Sequence, residues 1–138
     1  MKTVETYRGF ICPGLHHAGH MSMHSLASRF EEASWHFMAK LGLTPGYLKL
    51  QRRSVMALDQ HTRYRLEVLE GSLLEIHTQL LESGHKTLRY LHRMMDTETL
   101  QEVATMELLV ALLDTEARRN VALPENVLSC AEKMKNAH

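Results

Sequence analysis

Along the chain, the spacing of apolar positions changes its period twice. Val4 to Ile11 is rich in β-formers (Thr6, Tyr7, Phe10 and Ile11), and Cys12-Pro13-Gly14 stops the run. This predicts a strand, followed by a short loop through Leu15 to His20. From about Met21 the period becomes helical. Leu26, Phe30, Ala33, Phe37 and Leu41 recur at spacings of four, three, four and four. Such a stripe buries one face of a helix. Gly42 suits its C-cap, and Pro45-Gly46 prevents its continuation.

Beyond that point the period falls to two. Ser54 to Val68 holds β-rich stretches around Asp59-Gln60, and Glu70-Gly71-Ser72 is a turn signal. Leu74, Ile76, Thr78 and Leu80 alternate with Glu75, His77 and Gln79, the mark of a half-buried strand. Ser83 to Lys86 reads as a hairpin connection, after which Leu88, Tyr90, His92 and Met94 share one face. Thr97 to Leu100 turns the chain again. Ala104, Met106, Leu108, Val110 and Leu112 form the inner face of a last long strand. Pro124 to Ala137 predicts a short amphipathic helix with Pro124 in its first turn. The order is a strand, one long helix, then four β segments in antiparallel meanders. Strand runs with a single long helix define an α+β class, with the sheet curled around the helix.

Composition adds boundaries. The chain has 138 residues, 44% hydrophobic and 23% charged, which suits one core and excludes a disordered or low-complexity class. Sixteen basic and sixteen acidic residues balance to zero, so the field that nucleic-acid binding requires is missing. Cys12 and Cys130 are too few for a disulfide scaffold, and two reduced thiols are expected. The N-terminus carries no apolar signal segment. The longest apolar-rich run, Met106 to Leu113, contains Glu107 and is too short to cross a bilayer. A cytoplasmic protein with no membrane contact is the expectation. One oddity stands out: His16, His17, His20 and His24, four of the ten histidines, fall within nine residues.

These residues resemble a known family. Gly19-His20-Met21, opening the long helix, is similar to the Gly-His-Met signature of hotdog-fold acyl-CoA thioesterases, the group around 4-hydroxybenzoyl-CoA thioesterase. Phe30-Glu31-Glu32-Ala33 resembles their helix. Asp59 to Tyr64 followed by Glu67-Val68 resembles the second strand of the betainyl-CoA thioesterase branch, which acts in carnitine catabolism. Leu88 to Met94 and Ala104 to Asp114 look like its later strands. The resemblance spans roughly Thr6 to Asn120. It implies a hotdog domain over residues 1–123, with a short C-terminal helical tail over 124–138. It further implies hydrolysis of a small acyl-CoA, best guess betainyl-CoA, without a cofactor or metal. A homodimer or a dimer of dimers is implied too, since pairing open sheet edges across a twofold axis removes an aggregation liability.

One departure bears on mechanism. Most members carry Asp three residues before the helix-opening glycine; here that position is His16. No carboxylate lies between Thr6 and Phe30. Thioester hydrolysis needs an activated water and a partner for the carbonyl oxygen. The backbone N–H groups around Gly19, His20 and Met21 suit the second need, because a helix N-terminus presents unpaired donors and a positive dipole end. A histidine base, His16 or His17, suits the first. The competing reading gives these histidines a pocket-shaping or helix-capping role. Glu31, Glu32 or His61 of either chain are further candidates.

The catalytic candidates are therefore His16, His17 and His20, and the substrate-binding ones Gly19, Met21, Trp35, His61 and Tyr64. Aromatic faces hold quaternary ammonium groups, and Trp35, Tyr7, Tyr64 and Tyr90 supply them. The methionines, among them Met23, Met38, Met94 and Met106, read as core filler. Arg52, Arg53, Lys86 and Arg89 are cations available to coenzyme A phosphates or to a solvated strand face. Two other functions fit the same fold: an acyl-CoA-binding hotdog without turnover, and a hotdog dehydratase pairing His20 or His36 with Glu31 or Glu32.

Overall fold

The computed structural model describes residues 3–13 and 22–136. Strand β1 (Thr3–Phe10) leads to helix α1 (Met23–Leu41) and the short helix α2 (Pro45–Leu50). Strands β2 (Arg53–Tyr64), β3 (Leu73–Ser83), β4 (Thr87–Asp96), β5 (Glu102–Asp114) and β6 (Arg119–Val121) follow, and helix α3 (Glu125–Asn136) comes last.

The α1 stripe behaves as its spacing predicts. Leu26, Phe30, Ala33, Phe37 and Leu41 are buried, joined by Met38. Ser22 caps the N-terminus by accepting from the Ser25 N–H at 3.2 Å, and Gly42 closes the other end. Gly42 sits at φ +107°, where a side chain is strained, and an added Cβ would also meet the Asn126 amide at 3.0 Å. Pro45 does not end helical structure there. With Thr44 as N-cap, it opens the six-residue α2, because proline suits a first turn.

All the strands pair antiparallel, in the order β1-β3-β4-β5-β2, with β6 beside the end of β5. Only β3, β4 and β5 form the simple meander that the sequence predicts. β2 lies beyond β5, so the chain between β2 and β3 crosses the sheet. The stretch predicted as β-rich to Val68 ends as a strand at Tyr64, and Val68 is buried on a connection instead. Neither α2 nor β6 is foreseen by periodicity, being too short to show one.

The inner faces of β3, β4 and β5 are those read from alternation. Leu74, Ile76, Leu80, Leu88, Met94 and Ala104 are essentially inaccessible to water. A β-bulge between Glu5 and Tyr7 lets two successive residues, Thr6 and Tyr7, turn inward on β1. Tyr7 runs so close beneath Gly9 that a Cβ there would lie 2.0 Å from its hydroxyl. That hydroxyl accepts from Arg29 Nη1 at 2.6 Å and so ties α1 to β1. α3 closes one end with Val127 and Ala131 in the core. Of the methionines, Met38, Met94 and Met106 fill the core, whereas Met23 is 68% exposed.

Candidate functional site

α1 packs chiefly against β1 and β3, toward one side of the sheet. A helix is only about 10–12 Å wide with its side chains, so it cannot cover six strands. The uncovered remainder, over β5 and β2, is a cleft of about 470 Å³. That volume lies in the usual range for small-molecule sites. One wall is a second stripe on α1: Ala27, Glu31, Ser34, Trp35 and Met38, at helical spacing beside the buried one. The opposite wall is β2, through Val55, Ala57 and Gln60, and the floor includes Tyr90, Met106 and Leu108. A bulge between Ala57 and Asp59 shifts the register of β2, so that Ala57 and Gln60 face the same side.

A chain of buried polar groups ends at this cleft. Tyr90 Oη lies 3.1 Å from Ser34 Oγ, which lies 2.8 Å from His92 Nε2. His92 Nδ1 lies 2.6 Å from Thr78 Oγ1, Thr78 Oγ1 is 2.8 Å from Thr6 Oγ1, and Thr6 Oγ1 donates to the Ile76 carbonyl at 3.3 Å. Thr78 and His92 are fully buried. The His92 ring stacks on Phe30 at 5.9 Å and meets the Tyr90 ring edge-on at 5.1 Å. Burial alone pushes its pKa from 6.5 down to about 3, so the imidazole is neutral at physiological pH. Burial likewise raises the Tyr90 phenol, partly offset by its bond to Ser34. None of the buried side-chain nitrogens and oxygens among the described residues lacks a partner.

The candidates from sequence divide into three groups. Trp35 stands in the cleft wall with 48% of its surface exposed, and Glu31 stands one turn before it. Tyr64 is on the helix-facing side of β2, opposite Ala104 and 45% exposed, but past the end of the cleft. His61 pairs in register with Glu107, on the outer face of the sheet, where its Nε2 accepts from Arg63 Nε at 3.1 Å. Within one protomer it does not meet the cleft. His16, His17, Gly19, His20 and Met21 lie outside the described residues. Glu32 and His36 are exposed on α1 and line no part of the cleft.

Three of the four basic candidates for phosphate contacts are engaged elsewhere. Arg52 pairs with Glu116, Arg53 with Asp114 at 3.1 Å, and Arg89 with Glu107 at 3.0 Å. Cys12 and Cys130 are free thiols. Among the described residues, no group of His, Cys, Asp and Glu side chains is placed to hold a metal, and no helix is long and apolar enough to cross a membrane. Alternation alone places Tyr90, His92 and Thr78 on inner strand faces without assigning them a role, and it passes over Ser34. The available signal is a polar residue at an apolar position of an alternating strand.

A curled antiparallel sheet around one helix, with a cleft on the helix's open flank, is the hotdog architecture of acyl-CoA thioesterases. Residues 14–130 match the model of the thioesterase-like superfamily, and the chain belongs to that family. An L-carnitine dehydrogenase/betainyl-CoA thioesterase of Agrobacterium fabrum is 29% identical over 84% of this chain, which spans only 24% of that relative. A betainyl-CoA thioesterase of Pseudomonas aeruginosa is 28% identical over 79% of this chain and 69% of its own. Among solved structures, a Staphylococcus aureus protein in complex with CoA superposes with a TM-score of 0.89 at 17% identity, covering 98% of this chain and 86% of that one.

The neutrality of His92 has a consequence for stability. Its folded form takes a proton only near pH 3, whereas an unfolded chain does so near 6.5. Between those values the unfolded state holds the extra proton. The contribution is therefore complete above pH 6.5 and declines as the pH falls toward 3, by at most about 1.4 kcal/mol per pH unit. Urea unfolding at pH 7 and pH 4.5 should show the wild type losing about 2–3 kcal/mol more than His92→Gln across that interval. Equal losses in the two proteins would contradict a buried neutral imidazole.

Proposed function

We propose that the protein hydrolyses the thioester of a small acyl-CoA in the cleft between α1 and β2, and that the acyl group is betainyl. The observation that carries this reading is the cleft itself: a pocket of about 470 Å³ on the open flank of α1, walled by Trp35 and Glu31. Membership of the thioesterase-like superfamily supports the reaction type. The two betainyl-CoA relatives support the acyl group. Trp35 suits a trimethylammonium cation, since an indole face is the best aromatic partner for one.

In the proposed reaction, water adds to the thioester carbon, the C–S bond breaks, and coenzyme A leaves as its thiol. The backbone N–H groups around Gly19, His20 and Met21 stabilise the oxygen that becomes negative. Loss of one such donor typically costs about 2.7–4 kcal/mol of transition-state stabilisation. His16 or His17 takes the proton from water, in place of an acid that this chain does not carry between Thr6 and Phe30. That missing acid also favours a second reading, an acyl-CoA-binding hotdog without turnover. Assays that follow free coenzyme A across a panel of short acyl-CoAs decide between them. Hydrolysis is expected, fastest with betainyl-CoA and reduced about 10²-fold or more by replacing the base, His16 or His17, with alanine. Coenzyme A affinity without release of thiol from any substrate would establish the binding reading instead.

The reading includes a homodimer that buries the β2 edge. β2 is twelve residues long and, among the described residues, pairs on one side only, with β5. It exposes Met56, Leu58 and Tyr64, each by more than a third. A long open edge with apolar side chains is an aggregation template unless something pairs with it. A second copy in twofold symmetry extends the ladder and brings another α1 toward the cleft. Sedimentation should give twice the 15.9 kDa chain mass, and Leu58→Pro should shift the protein toward monomer. A wild type that sediments as a single chain at micromolar concentration would exclude this arrangement.

A further inference from the structure

The chain from Tyr90 to the Ile76 carbonyl contains five hydrogen bonds. It also contains five protons: one each on Tyr90, Ser34, Thr78 and Thr6, and one on the neutral imidazole of His92. A carbonyl cannot donate, so the Thr6 proton must serve Ile76. The Thr78 proton then serves Thr6, and His92 Nδ1–H serves Thr78. His92 Nε2 is left as an acceptor for Ser34, and Ser34 as an acceptor for Tyr90. Only this one-way order satisfies all five bonds. Every proton points inward, away from the cleft.

The outer end of the chain consequently offers lone pairs alone. Ser34 Oγ keeps one and Tyr90 Oη keeps its own, and both residues line the cleft beside the Glu31 carboxylate and the Trp35 indole. Of the other donors that line it, the Trp35 indole N–H stands on α1, whereas Arg53, Ser54 and Gln60 stand on β2 at the opposite wall, and Arg53 is already held by Asp114 and by the Gln51 carbonyl. A group bearing positive charge is stabilised against such a wall, whereas a carboxylate faces repulsion. We propose that Ser34 is a specificity-determining residue that selects a cationic acyl end, and that His92 is the positioning residue that keeps the Ser34 hydroxyl turned inward.

The 2.8 Å contact between Ser34 and His92 also has the form of a nucleophile and its base. The structure argues against that role. The pair lacks a carboxylate on His92 Nδ1, where Thr78 stands instead. Burial pushes the imidazole pKa down to about 3, which leaves it too weak a base to draw a proton from a serine hydroxyl at neutral pH. His92 orients Ser34 and does not receive its proton.

This inference rests on the proposed acyl-CoA site, and its test is separate from turnover. Two non-hydrolysable coenzyme A thioethers of matched shape are compared by calorimetry, one ending in trimethylammonium and the other in tert-butyl. The wild type should favour the cation by about tenfold. Ser34→Ala should cut that ratio at least threefold, Ser34→Thr should preserve it, and affinity for the tert-butyl ligand should hold in both. His92→Leu, which leaves the Ser34 hydroxyl without its acceptor, should lower the ratio as Ser34→Ala does, and His92→Gln, whose amide can accept from Ser34 and donate to Thr78, should restore it. Nitrogen-15 spectra of His92 should report a proton on Nδ1. Equal affinity for the two thioethers, a ratio unmoved by Ser34→Ala, or a proton on Nε2 would overturn the proposal. If the cation is preferred but no thioester is hydrolysed, the role of Ser34 stands and the proposed hydrolysis falls. If thioesters are hydrolysed without that preference, the hydrolysis stands and the role of Ser34 falls.

Discussion

A single helix pressed into a wider sheet governs the whole molecule. α1 buries its apolar stripe against the inner face of the sheet, with Phe30 on His92 and Phe37 tilted against Tyr90 at 5.0 Å. Burial of each such aromatic contributes a few kcal/mol, and packing of this kind holds most of the fold. The helix is narrower than the sheet, and it lies toward β1 and β3. One flank must therefore stay open. The cleft is the geometric remainder of the same packing that makes the core, which is why its walls are rigid elements rather than loops.

That geometry explains why polar groups occur deep in an otherwise apolar interior. Ser34 lies where the buried stripe of α1 passes into the cleft-facing one. A hydroxyl there needs a partner, and His92 and Tyr90 from β4 supply it. His92 in turn requires Thr78 on β3, and Thr78 requires Thr6, which the β1 bulge turns inward. Each member costs desolvation energy unless satisfied, so the network tolerates few partial substitutions. It joins α1 to three neighbouring strands and fixes the helix relative to the floor of the cleft. Stability and recognition here depend on the same side chains.

Much of the fold is legible in the sequence. The α1 stripe can be followed to its last residue, Leu41, because helical periodicity over five positions leaves little ambiguity. The inner faces of β3, β4 and β5 are equally clear from alternation. Strand order is not, since β2 and β3 are consecutive in sequence but separated by two strands in space, and pairing is decided by long-range contacts that periodicity does not encode. The site is legible in part. The chemistry of Trp35 points to it, and it stands in the cleft. A motif points to His61, but the alternation of β2 turns it to the outer face. Thr78, Tyr90 and His92 read as members of a hydrophobic face, and their partnership emerges only when α1 brings Ser34 between them. The histidines before α1 stay a matter of sequence and resemblance, as they lie outside the described residues.

The central claim is that the open flank of α1 receives the acyl group. A crystal structure of the protein with a non-hydrolysable acyl-CoA analogue tests it most directly. The thioester position should lie at the opening turn of α1, with the acyl end against Trp35 and Ser34. An analogue bound on the outer face of the sheet, with the α1–β2 cleft empty, would contradict it.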